Sequence, residues 1–224
     1  MSRSFADARR WMAEGTALLT EAIDGLGEAG FDQPSLLPGW SRRQLVAHLA
    51  ANADAIGNLV HWAATGVVTP MYASPEERAA GIAKGLTMSA CALDSWLHTS
   101  AERLAEAMDR LTEEQWQRPV LTAQGRTVPA TETPWMRARE VCVHAVDLAI
   151  GTDRGGVTFA HLSGDFNAAL CEDIRALRQS RAGGPDAPSE LPQQVAGAPL
   201  PEVTAWLAGR PHSIPAAPEL GPWL

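Results

Sequence analysis

Trp135-Met136-Arg137-Ala138-Arg139-Glu140-Val141-Cys142-Val143-His144-Ala145-Val146-Asp147-Leu148 is the stretch whose reading decides the fold. Thr131 or Thr133 followed by Pro134 suits a first helical turn, and Gly151 marks a natural stop. Val141, His144 and Leu148 recur at steps of three and four, so the run reads as an amphipathic helix. Glu140 and His144 are four residues apart and project from one face about one turn apart, where both can reach one ion. Asp147 lies three residues beyond His144 on the same face. It fits there as a hydrogen-bond partner of a ligand or as a polar group in a cavity. It also fits as an ion pair at the helix end, although a carboxylate there opposes the macrodipole.

Working outward, three more helices of similar character are predicted. Phe5, Met12, Leu19, Ile23 and Leu26 form a stripe that runs into the glycine-rich stretch from Gly25 to Gly30. The loop Pro34-Ser35-Leu36-Leu37-Pro38-Gly39-Trp40 leads to Ser41, placed to cap a helix with Leu45, Leu49, Ile56 and Leu59 on its buried side, running to about Gly66. Ser74-Pro75-Glu76-Glu77 opens a long third helix whose buried side is marked by Leu86, Leu93, Leu97, Leu104, Met108 and Leu111. Between Pro119 and Pro129 a short hairpin or an ordered loop joins it to the fourth.

Four amphipathic helices of this length make a four-helix bundle, and their long connections allow a non-sequential topology. We place the bundle at residues 1–153 and a smaller C-terminal region at 154–224. That region holds a fifth helix through Phe166, Leu170, Ile174 and Leu177, and a Pro/Gly-rich linker from Gly183 to Pro192. A short helix around Pro201 to Ala208, stopped by Gly209, comes before an extended tail with Pro211, Pro215, Pro218 and Pro222. The expected fold class is therefore mainly α.

Composition narrows the functions. A chain of 224 residues with 46% hydrophobic and 20% charged residues can bury a substantial core. A net charge of −8 without any Lys/Arg run argues against nucleic acid. The longest apolar stretches fall far short of the ~20 residues that span a bilayer, and the N-terminus lacks a secretory pattern, so a cytoplasmic protein is expected. Cys91, Cys142 and Cys171 are widely spaced, which suits small buried hydrophobes better than disulfides. No G-x-S-x-G, Walker-type or Rossmann glycine pattern occurs. The eight tryptophans read as packing.

His48 sits three residues after Leu45 and one before Leu49, which turns its imidazole toward the bundle interior. With Glu140 and His144 it completes two histidines and one carboxylate, the ligand set of many catalytic zinc sites, with a fourth position left for water or substrate. A histidine on an apolar face is also commonly a hydrogen-bonded core residue, so the spacing leaves both readings open. His61, His98, His161 and His212 have no partners at ligand spacing and read as surface histidines.

Several stretches resemble the mycothiol-dependent maleylpyruvate isomerase family, a branch of the DinB-like metal-binding bundles. They are Leu37-Pro38-Gly39-Trp40-Ser41, Leu45-Val46-Ala47-His48-Leu49, Asn58-Leu59-Val60-His61-Trp62, Thr69-Pro70-Met71-Tyr72, Leu121 through Ala130, and Trp135 through Leu148. The resemblance covers roughly residues 5 to 152 and extends to loops that an unrelated bundle would not share. It implies a metal at His48, Glu140 and His144, zinc or another divalent ion. In that family a small α/β domain follows the bundle and supplies an arginine to the active site. This chain departs from the pattern, with no room for strands between Gly183 and Gly197. Trp206-Leu207-Ala208-Gly209-Arg210 nonetheless resembles the last helix of that domain, which puts the catalytic arginine at Arg210, with Asp147 as a second catalytic candidate. The resemblance implies mycothiol as the thiol cofactor, and the shortened C-terminal region leaves glutathione or cysteine as alternatives.

The resemblance implies conversion of maleylpyruvate to fumarylpyruvate in gentisate breakdown. Rotation about the cis double bond requires loss of its π character. Thiolate addition gives an enolate with a single bond, rotation follows, and expulsion of the thiol leaves the trans product. A free thiol, with a pKa near ~8.5, is mostly protonated at neutral pH, and a metal would ionise it. Arg210 would pair with the enolate and the substrate carboxylates. Two other functions fit the same residues: a zinc-dependent thiol S-transferase, and a non-catalytic zinc-binding interaction module.

Overall fold

The computed structural model describes residues 3–151, 155–182 and 191–221. They are mainly helical and group into two compact units, Ser4–Val157 and a second from Thr158 onward that includes Arg3. The linker expected from Gly183 lies, up to residue 190, outside the described residues, as does Pro222.

In the first unit the bundle helices are α1 (Phe5–Ile23), α3 (Arg42–Thr65), α5 (Ala90–Asp109) and α7 (Thr133–Asp147). Short helices α2 (Glu28–Phe31), α4 (Pro75–Leu86) and α6 (Glu113–Trp116) sit in the connections. Ser4 and Ser41 close capping boxes with Asp7 and Gln44, so α1 and α3 begin where the chain supplies its own acceptors for the first amides. Gly66, at φ 78°, ends α3 in the left-handed conformation that glycine adopts freely. Between α6 and α7, β1 (Pro119–Leu121) and β2 (Thr127–Pro129) form an antiparallel hairpin with Val120 opposite Val128 and both side chains buried.

The expected long third helix is two helices. Ser89 accepts a hydrogen bond from the Ala92 amide and starts α5, while the Met88 carbonyl is taken by Arg43 Nη1 at 2.7 Å. The turn between them leaves Leu86 45% exposed, not buried as its spacing suggested. Helix α7 also stops earlier than Gly151. Ala149 takes a positive φ of 51°, and Arg42 donates to the carbonyls of Leu148 and Ala149 at 2.8 and 3.1 Å, satisfying the last turn from another helix. Cys142 and Cys171 are buried as expected, whereas Cys91 is exposed on the first turn of α5.

Helix α1 lies against α7, and α3 against α5, α4 and α7. The α1–α7 approach depends on Gly15. A Cβ there would stand 2.4 Å from Cys142 Sγ, 2.7 Å from Val141 Cγ2 and 3.1 Å from the Cys142 amide nitrogen. One of those neighbours is backbone and cannot step aside. Gly15→Val should therefore destabilise the protein by about 3 kcal/mol, the upper end of the overpacking range, as a lowered midpoint in urea denaturation.

The second unit contains α8 (Gly164–Ala182), α9 (Gln193–Ala196) and α10 (Leu200–Leu207), with no strand among its described residues. Helix α10 packs on α8. Arg178 Nη2 donates to Leu207 O at 2.9 Å, and Trp206 Nε1 donates to Pro218 O at 2.8 Å, fixing part of the extended tail.

Candidate metal centre

Helix α3 carries His48, and α7 carries Glu140 and His144. Nε2 of His48 lies 2.9 Å from Oε2 of Glu140, and Nε2 of His144 lies 3.5 Å from the same oxygen. One donor atom from each of the three residues falls within 4.8 Å of the others. An ion about 2.0–2.1 Å from tetrahedral ligands spaces them about 3.3 Å apart, so the observed separations fit one ion between two imidazoles and a carboxylate. The two imidazoles meet edge to face, with centroids 5.4 Å apart. Both rings are about nine-tenths buried, whereas the Glu140 side chain is 26% exposed, so the carboxylate is the member most open to solvent.

Asp147 stands behind His144. Its Oδ2 is 2.8 Å from Nδ1, the ring nitrogen opposite the one facing Glu140, and the residue is fully buried. The Leu36 amide in turn donates to the Asp147 carbonyl at 2.8 Å, tying this end of α7 to the loop before α3. Burial opposes charge on Glu140, yet hydrogen bonds from His144 and His48 outweigh it and hold the carboxyl well below the usual carboxylate range. Burial likewise disfavours the His144 cation, but contacts with Asp147 and Glu140 prevail and push its pKa up to about 9. Without an ion the three side chains hold one another by mutual electrostatic attraction, and an ion bound among them would have to displace the His144 ring proton.

Three participants were not read from the sequence. Trp40, at the end of the Pro-Gly-Trp-Ser loop, presents its ring perpendicular to His48 at 6.0 Å. Arg137 and Asn52 form a buried polar contact near the ligand candidates. The signal for Arg137 was its place three residues before Glu140 on the same helical face. A separate pocket of about 290 Å³ lies between α3 and α4, lined by Asp54, Asn58, Tyr72, Lys84 and Trp96 among others, and none of the three ligand candidates lines it.

Arg210 belongs to the second unit, just past α10, where its amide donates to Ala205 O and its Nη1 to Ala208 O, both helix-end carbonyls. Histidines 61, 98, 161 and 212 are all exposed, as expected. No helix among the described residues is long and apolar enough to cross a membrane.

Fold and site together define a DinB-like helical bundle with a candidate metal site. The profile described as the mycothiol maleylpyruvate isomerase N-terminal domain matches residues 12–149. Among solved structures, a mycothiol-dependent maleylpyruvate isomerase is 34% identical over 97% of this chain and 98% of its own, with a TM-score of 0.82. A mutant of that enzyme with one histidine replaced by alanine matches equally well. YfiT from Bacillus subtilis, described as a probable metal-dependent hydrolase with an unusual four-helix bundle topology, shares the fold, with 19% identity, a TM-score of 0.51 and coverage of 66% of this chain and 89% of its own. No curated protein matches by sequence. The chain belongs to the mycothiol-dependent maleylpyruvate isomerase family.

Proposed function

We propose that this protein isomerises maleylpyruvate to fumarylpyruvate in gentisate breakdown, using a bound divalent ion, Zn²⁺ first among candidates, and a low-molecular-weight thiol. The observation that carries this reading is the convergence of His48, Glu140 and His144 on one ion-sized space, in a chain similar to an isomerase of that name over nearly its whole length. Mycothiol is the thiol proposed, with glutathione and cysteine as the alternatives. Residues 1–153 would carry the metal and 154–224 the arginine, in a cytoplasmic enzyme.

When bound, the ion would supply a Lewis-acid position at which a thiol is kept ionised at neutral pH. His48 and His144 would hold it through Nε2, and Glu140 through its carboxylate. Asp147 would fix the tautomer and plane of His144 by accepting the Nδ1 proton. Trp40 packs with its ring perpendicular to that of His48. In this reading Arg210 pairs with the substrate carboxylates and with the negative charge that develops during isomerisation, a role suited to a planar guanidinium.

Zinc-loaded protein incubated with maleylpyruvate should convert it to the trans isomer only when a thiol is present, and fastest with mycothiol. Mass analysis separates this from an S-transferase, because isomerisation leaves no thiol adduct. Accumulation of an adduct, or turnover indifferent to thiol, would overturn the proposal.

A further inference from the structure

Arg137 is 1% exposed, deep between α3 and α7. Its Nη1 donates to Leu49 O at 2.8 Å and to Asn52 Oδ1 at 2.9 Å, both on α3. Leu49 directly follows His48, and Asn52 lies one turn further on. On its own helix Arg137 precedes Glu140 by three residues and His144 by seven, on the same stripe. The guanidinium therefore ties the two helices together within a turn of His48 and Glu140, and about two turns along the helix from His144.

Keeping it there is costly. No acidic side chain among the described residues forms an ion pair with Arg137, and its Nη2 has no hydrogen-bond partner among them. Burial pulls its pKa down to about 10, which still leaves it protonated at neutral pH. An apolar side chain would fill the space without burying a cation. What apolar contact does not provide is direction, since hydrophobic burial is non-directional, whereas two hydrogen bonds to fixed acceptors set distance and angle. A coordination site built from two helices needs that kind of restraint, because its ligands must converge within a fraction of an ångström.

We propose that Arg137 is a positioning residue of the metal centre, bracing the helix that carries His48 against the helix that carries Glu140 and His144. The proposal rests on the metal reading above. It is tested on the full chain with Co²⁺ as probe, by chelator competition and the visible absorption of the bound ion, in the parent protein, Arg137→Lys, Asn52→Ala and Leu104→Ala. Lysine keeps the charge but loses the planar fork. Asn52→Ala removes one of the two bonds. Leu104, buried on α5, controls for general loss of stability.

Co²⁺ affinity should fall about 10-fold or more in Arg137→Lys, a loss comparable to other changes behind a metal ligand, with an altered absorption spectrum. Asn52→Ala should lose less, and Leu104→Ala should bind like the parent despite its lower stability. Unchanged affinity and spectrum in Arg137→Lys would overturn the proposal, as would an equal loss in Leu104→Ala. Should Arg137→Lys fail to fold, Asn52→Ala decides: unchanged Co²⁺ binding there overturns the brace. Failure of the parent chain to bind Co²⁺ would instead overturn the metal reading itself.

Discussion

His48→Ala should remove metal binding and thiol-dependent isomerisation together while leaving the bundle folded. His48 is the only ligand candidate contributed by α3, so its loss leaves Glu140 and His144 on one helix with nothing opposite them. Loss of a hydrogen-bond partner behind a ligand already costs 10–100-fold in affinity, so removal of a ligand should cost more than about 100-fold. Helix α3 should survive, because its stability comes from the Ser41 capping box, the Gly66 stop and a buried face of Leu45, Leu49, Ile56 and Leu59. Equilibrium dialysis against zinc, circular dichroism and the isomerase assay on the same preparation check the three parts. A folded variant that binds no zinc yet isomerises at the parent rate would sink the catalytic reading. Retention of zinc at parental affinity would show that the ion is held elsewhere.

Helical arithmetic made the shared direction of the ligand candidates legible, while the choice of a metal site over buried core histidines came from the family resemblance. Glu140 and His144 had to share a face, and His48 had to point inward once Leu45 and Leu49 did. The same arithmetic misled in the third helix. Leu86 and Leu93 are seven residues apart and stay in phase across a break, so spacing could not reveal that Ser89 restarts the helix and leaves Leu86 outside. The end of α7 was misplaced for a different reason. Its last carbonyls are satisfied by Arg42 from a distant part of the chain, a long-range contact with no local signature. Arg137 was missed because arginine is ordinarily a surface residue, and only packing shows that this one is sealed between helices. Trp40 reads from the sequence as part of a loop, and its perpendicular contact with His48, next to the turn at Gly39 where φ is 77°, has no local sequence signature.

The second large effect is expected at Asp147. Its carboxylate is fully buried and accepts from Nδ1 of His144 at 2.8 Å, which leaves Nε2 free of that bond and aimed toward Glu140. Asp147→Ala removes the acceptor and strands a buried imidazole N–H, so the ring is free to rotate and its remaining nitrogen becomes a poorer donor to a metal. Zinc affinity should fall about 10–100-fold, and isomerase activity measured at limiting zinc should fall with it. Asp147→Asn separates the two contributions. Its amide oxygen can still accept the Nδ1 proton and hold the ring plane, but it lacks the charge that strengthens the ligand. It should therefore fall between the parent and the alanine variant, and excess zinc should restore its activity. If Asp147 instead acts on the substrate, excess zinc will not rescue either variant, and zinc affinity will stay at the parental value while kcat drops.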